Sequence, residues 1–182
     1  MSRLRVLCVL GLLAACVFGQ AGPYNIGRDP SPEEVRARDI SVRPDGVGLP
    51  PGRGTPEEGR GVYAAKCSSC HGDRGEGSAH YPALVGGQGT LTSTEPLLTV
   101  GSYWPYATTV WDHIHRTMPY LEPGTLTPNE TYSVTAYILF LNGIVDEKIE
   151  LNEKTLPKVK MPNRDGFVPD PRPDITLRVR ER

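Results

Sequence analysis

The chain has 182 residues, 38% hydrophobic and 23% charged, enough for one ordinary domain. Twenty basic residues face 21 acidic ones, so no cationic surplus is available to neutralise phosphates, and nucleic acid is excluded as an expected partner. Twenty glycines and 18 prolines exceed the average share without any collagen-like period, which leaves fewer residues for regular elements.

In chain order, Arg3 and Arg5 precede an apolar run from Val6 to Phe18. A charged start followed by an apolar stretch too short to span a bilayer comfortably reads as an export signal, expected over residues 1–21 and implying a periplasmic protein. Two processing routes stay open. Gly19-Gln20-Ala21 places small residues where cleavage after Ala21 needs them, and Leu13-Ala14-Ala15-Cys16 resembles a lipobox. A membrane tether is expected only if Cys16 is lipidated. Residues 22–54 read as an extended arm, with Pro23, Pro30, Pro32, Pro44, Pro50 and Pro51 and one helical turn expected around Pro32-Glu33-Glu34.

Residues 55–145 carry the convincing helices. Thr55-Pro56-Glu57-Glu58 sets Thr at the cap, Pro at the first helical position and Glu three after the cap, a capping box that opens a helix to about Cys67. A second helix is expected from about Tyr106 to Arg116, with Val110, Trp111 and Ile114 inward. Thr127-Pro128-Asn129-Glu130 repeats the capping device, and Val134, Tyr137, Ile138 and Leu141 then form one apolar stripe that ends at Asn142-Gly143. No stretch alternates apolar and polar residues between turn signals, so the domain is expected to be all-α. Residues 146–182 return to the arm's character as an irregular, Pro-rich tail.

Cys67-Ser68-Ser69-Cys70-His71 decides the chemistry. C-x-x-C-H is the attachment signature of c-type haem: two thiols a helical turn apart reach the two vinyl groups of one porphyrin, and the adjacent imidazole projects to the iron. A thioredoxin-like C-x-x-C would open a helix after a strand, whereas this one ends a helix. A zinc site would need more ligands at suitable spacing, and a disulfide between the pair would leave His71 without a role. The expected cofactor is therefore one covalently attached haem c, held by Cys67 and Cys70, with His71 on the iron. For the sixth position Met118, followed by Pro119 and 47 residues past His71, is preferred over Met161, His80, His113 and His115.

From Thr55 to Gly143 the chain resembles the class I cytochromes c. The residues that carry the resemblance are the capped first helix with Gly59 and Tyr63, Cys67 to Gly72, Tyr81-Pro82-Ala83-Leu84, Met118-Pro119 and the last helix with Tyr137. The resemblance implies that first and last helices cross at Gly59, Tyr63 and Tyr137, that the Pro82 carbonyl orients His71, and that Tyr63, Leu84 and Trp111 join Pro82 in the haem pocket. Over roughly Ile26 to Asp174 the chain is also similar to the cytochrome subunits of sulfite and sulfane dehydrogenases, the SoxD-like proteins. That similarity rests on Arg43–Pro50, Gly101–Thr108 and Met161–Phe167. It implies a partner subunit with a molybdenum cofactor that oxidises a sulfur compound, and a downstream cytochrome or oxidase that takes the electron. Longer relatives carry two haem domains; a single C-x-x-C-H points to a monohaem member. No catalytic residue is expected in such an electron-transfer subunit. The motif also fits a free-standing carrier serving another dehydrogenase, such as a quinoprotein, or a haem enzyme acting on thiosulfate or peroxide.

Overall fold

In a computed structural model of the chain, residues 27–169 are described; the expected export signal, Cys16 and the last residues of the tail lie outside them. The chain divides into two units, at Asp39 and Ile40.

In the first unit, Ser31-Pro32-Glu33-Glu34 repeats the Thr-Pro-x-Glu device of the two main helices, and the result is α1, Pro32–Arg38. The Glu34 N–H donates to Ser31 Oγ at 3.3 Å, the Ser31 N–H donates to the Glu34 carboxylate at 2.8 Å, and Arg28 grips the same carboxylate at 2.7 Å. The expected single turn is thus a two-turn helix. None of its residues is buried, and among the described residues caps and exposed ion pairs support it.

The second unit contains α2 (Pro56–Lys66), α3 (Ser68–His71), α4 (Ala107–Thr117) and α5 (Pro128–Leu141). Its strands are two residues each: β1, Arg53–Gly54, and β2, Leu151–Asn152, pair antiparallel with Arg53 opposite Asn152, and a 3-10 turn follows at Leu156–Lys158. Both expected capping boxes form. The Thr55 side chain accepts from the Glu58 N–H at 3.3 Å, and Thr127 accepts from Glu130 at 3.2 Å. Satisfying these otherwise unpaired donors fixes where α2 and α5 begin.

Helices α2 and α5 cross at Gly59, where a Cβ would run into the Ser133 carbonyl and the Tyr137 Cβ. The Tyr63 and Tyr137 rings pack beside the crossing, 5.4 Å apart. The sequence gives α5 one apolar stripe, but every residue from Thr131 to Leu139 is buried. Helix α2 covers one side, α4 another, and β1 and β2 a third. The helix is the centre of the core rather than a surface helix.

Both flanks enter that core. Val42 is buried and its N–H donates to Asp112 Oδ1 at 3.1 Å; Asp112 in turn pairs with Arg116. The Tyr132 hydroxyl donates to the Pro50 carbonyl at 3.0 Å. From the tail side, Leu151 and Leu156 are fully buried and Met161 nearly so. Arm and tail are irregular in backbone but supply core side chains.

His115 stacks on Trp111 with ring centroids 4.7 Å apart, and burial pushes its pKa down. A histidine whose folded pKa lies below its unfolded value binds fewer protons when folded, so stability rises with pH through that window. The unfolding midpoint should therefore begin to fall as pH drops below about 6.5. His115→Gln should flatten that slope in a thermal-melt series from pH 7 to 5; an unchanged slope would remove His115 as its source.

Candidate functional site

Helix α2 ends at Cys67, whose φ of −127° and ψ of −40° break the axis, and α3 starts at the next residue. Within α3 the Cys70 and His71 N–H groups both donate to the Cys67 carbonyl, at 3.2 and 3.0 Å, so the two thiols stand one turn apart. Gly72 then ends the turn at φ +79°, a conformation that suits glycine. The Tyr63 hydroxyl donates to the Gly72 carbonyl at 2.9 Å and ties this ending to α2.

Cys67 and Cys70 are both free, not joined in a disulfide. Burial pushes the Cys67 thiol up to about 11, against the pull of Lys66. A redox C-x-x-C needs a thiol pKa lowered towards neutrality, so the environment of Cys67 argues against thioredoxin-like chemistry.

His71 Nδ1 lies 2.9 Å from the Pro82 carbonyl oxygen. A carbonyl can only accept, so Nδ1 carries the proton and Nε2 is left with the lone pair. The loop holding Pro82 is itself pinned: the Leu84 and Val85 N–H groups donate to the Gly75 carbonyl at 2.8 and 3.1 Å, and the Gly77 N–H to the His71 carbonyl at 2.7 Å.

These groups border a cleft of about 360 Å³. Cys67, Cys70, His71, Pro82, Leu84 and Met118 all border it, with an apolar wall of Val100, Trp104, Val110, Ile114, Val134 and Ile138. Two expected pocket residues stand elsewhere. Tyr63 is buried against Tyr137, and Trp111 is fully buried between His115 and Tyr132, at 4.7 and 5.2 Å. The tryptophan on the cleft is Trp104, which precedes α4 and which helical periodicity could not single out. Among the candidates for a sixth ligand, Met118 and His113 border the cleft. Met161 is buried in the core and His80 is exposed.

Two unpaired thiols, an imidazole with a free lone pair and a thioether around one apolar cleft are the donor set that a covalently held haem needs. The family model of cytochrome c matches residues 56–142, the span from α2 to the end of α5. The chain is also 44% identical to a chain of the sulfane dehydrogenase SoxCD from Paracoccus pantotrophus, over 85% of this chain and 76% of that one, with a TM-score of 0.76. This chain belongs to the cytochrome c family. The cytochrome also matches thiosulfate dehydrogenase (TsdBA) from Marichromatium purpuratum at 30% identity over 47% of its length and 17% of that chain, with a TM-score of 0.37. No curated protein sequence matches it.

As a cytochrome c it is an electron carrier with covalently bound haem c, of the SoxD-like class I type that the sequence suggested. No helix among the described residues is long and apolar enough to cross a membrane.

Proposed function

We propose that the cytochrome is a periplasmic monohaem subunit that takes electrons from a molybdenum-cofactor sulfite or sulfane dehydrogenase subunit and passes them to a downstream cytochrome or oxidase. The observation that carries this reading is the 44% identity to a chain of SoxCD, maintained over most of both chains. In this reading Cys67 and Cys70 would hold the porphyrin through thioethers, and His71 and Met118 would ligate its iron. The bound haem supplies one-electron exchange between Fe(III) and Fe(II).

The chain's own residues hold, orient and insulate that group. Pro82 fixes the His71 tautomer and ring plane, and its hydrogen bond makes the imidazole a stronger donor. The Met118 thioether favours the reduced state, which suits acceptance from a low-potential donor. The aliphatic wall from Val100 to Ile138 keeps water from the cleft, lowering the local dielectric and helping to set the potential. With His71 and Met118 both serving as ligands, little rearrangement would accompany electron transfer, and the chain would need no acid, base or nucleophile of its own.

Native purification through an affinity tag on the cytochrome should recover a molybdopterin protein in equal amount. The complex should reduce an external cytochrome c with sulfite or thiosulfate as donor. A cytochrome recovered alone, and reduced by a quinoprotein dehydrogenase instead, would favour the free carrier.

A further inference from the structure

The Asn142 side chain at the end of α5 is saturated with partners, and apart from the Ile138 carbonyl of its own helix they belong to the loop that aims His71. Its Oδ1 accepts from the Gly86 N–H at 3.1 Å, and its Nδ2 donates to the Leu84 carbonyl at 3.1 Å and to the Ile138 carbonyl at 2.9 Å. Gln88 Nε2 donates to the Asn142 backbone carbonyl at 3.1 Å. A Cβ on Gly101 would run into Asn142 Oδ1, so the 99–102 turn closes over the amide. Thr99 Oγ1 donates to the Gly86 carbonyl at 2.5 Å and the Val100 N–H to Leu84 at 3.2 Å, completing the clamp from that side.

Leu84 lies two residues after Pro82, whose carbonyl receives the His71 Nδ1 proton. A helix end needs only a cap, whereas a planar amide with both polar atoms committed to one loop fixes that loop's position and orientation. We propose that Asn142 is a positioning residue for the proximal histidine. It anchors the 82–88 loop to the rigid core helix, so that the Pro82 carbonyl stays in line with the Nδ1 proton. This rests on the reading of His71 as an axial ligand. Without the anchor, the Pro82 bond to His71 loosens, the imidazole donates less to the iron, and Fe(II) becomes relatively favoured.

The test uses the holoprotein. Asn142→Ala should speed water exchange of the His71 Nδ1 proton, followed by its shifted NMR resonance, by about tenfold or more, a size typical of changes around metal ligands. At a fixed applied potential the Fe(II)/Fe(III) ratio should rise about tenfold, equivalent to about 59 mV for one electron. Leu151→Ala, which removes a buried side chain away from the cleft, is the control: it should lower the melting midpoint while leaving exchange and potential at wild-type values. Asn142→Ala behaving like this control would overturn the proposal. If that variant fails to mature with haem, Asn142→Ser is read in the same two ways. A wild-type protein with no shifted histidine ring proton would overturn the axial role of His71 itself, and the proposal with it.

Discussion

Gly59→Ala should lower the unfolding midpoint by about 10 °C, corresponding to about 3 kcal/mol for a domain of this size. A Cβ at this position meets the Ser133 backbone carbonyl and the Tyr137 Cβ, and neither can move aside as the tip of a flexible side chain could. Helix α5 cannot retreat, because it is buried along its length from Thr131 to Leu139. The added methyl therefore has to push α2 outward, and α2 leads directly into Cys67. The loss should reach the site as well, as a lower yield of haem-loaded protein on expression. Gly61 is the internal control. It lies on the same helix, is exposed, and a Cβ there would meet nothing within 4 Å. Gly61→Ala should stabilise by about 0.5–1 kcal/mol through helix propensity alone. Two alanine substitutions two residues apart thus carry opposite expected signs. Equal midpoints for the two variants would show that the crossing is looser than Gly59 implies.

Met118→Ala should abolish the methionine-to-iron charge-transfer band of the oxidised protein and lower the midpoint potential by on the order of 0.1–0.3 V. That is a substantial part of the ~0.8 V range that axial ligands span. In the proposed ligation the thioether would stabilise the reduced state, so its loss would favour Fe(III). Met161→Ala should do the reverse: the band and potential stay, and stability falls by about 2–5 kcal/mol because a buried side chain leaves a cavity. The double comparison separates ligand from core filler. A band that survives Met118→Ala would transfer the sixth position to another donor, with His113, which borders the same cleft, the first to examine.

The elements with strong local grammar were legible in the sequence. Thr55 and Thr127 announced their helices through caps that form as expected, and Cys67, Cys70, His71, Pro82 and Met118 all border one cleft. Ser31 spelled the same grammar and could have lengthened the arm's single turn to α1. Sidedness was less legible. On α4, Val110, His113 and Ile114 share one face and meet the cleft, while Trp111 and His115 share another and stack together beside Tyr132. A helix apolar on two faces does not declare which one meets a ligand, which is why Trp111 was expected where Trp104 stands. The tail's contribution was hidden for a different reason. Leu151, Leu156 and Met161 enter the core one at a time between turns, with no period to mark them.

The pairing of β1 with β2 joins positions 53 and 152, almost a hundred residues apart in the chain. The family match stops at residue 142, so the part that matches the cytochrome c family model is shorter than the part that packs into one core. A fragment cut to that match would keep both cysteines, His71 and Met118, yet strip Leu151 and Pro50 from the flank of α5, leaving Tyr132 without its acceptor in the arm. The cleft itself is bordered only by residues from Lys66 to Ile138, so the flanks hold the central helix in place without covering the thiols of Cys67 and Cys70.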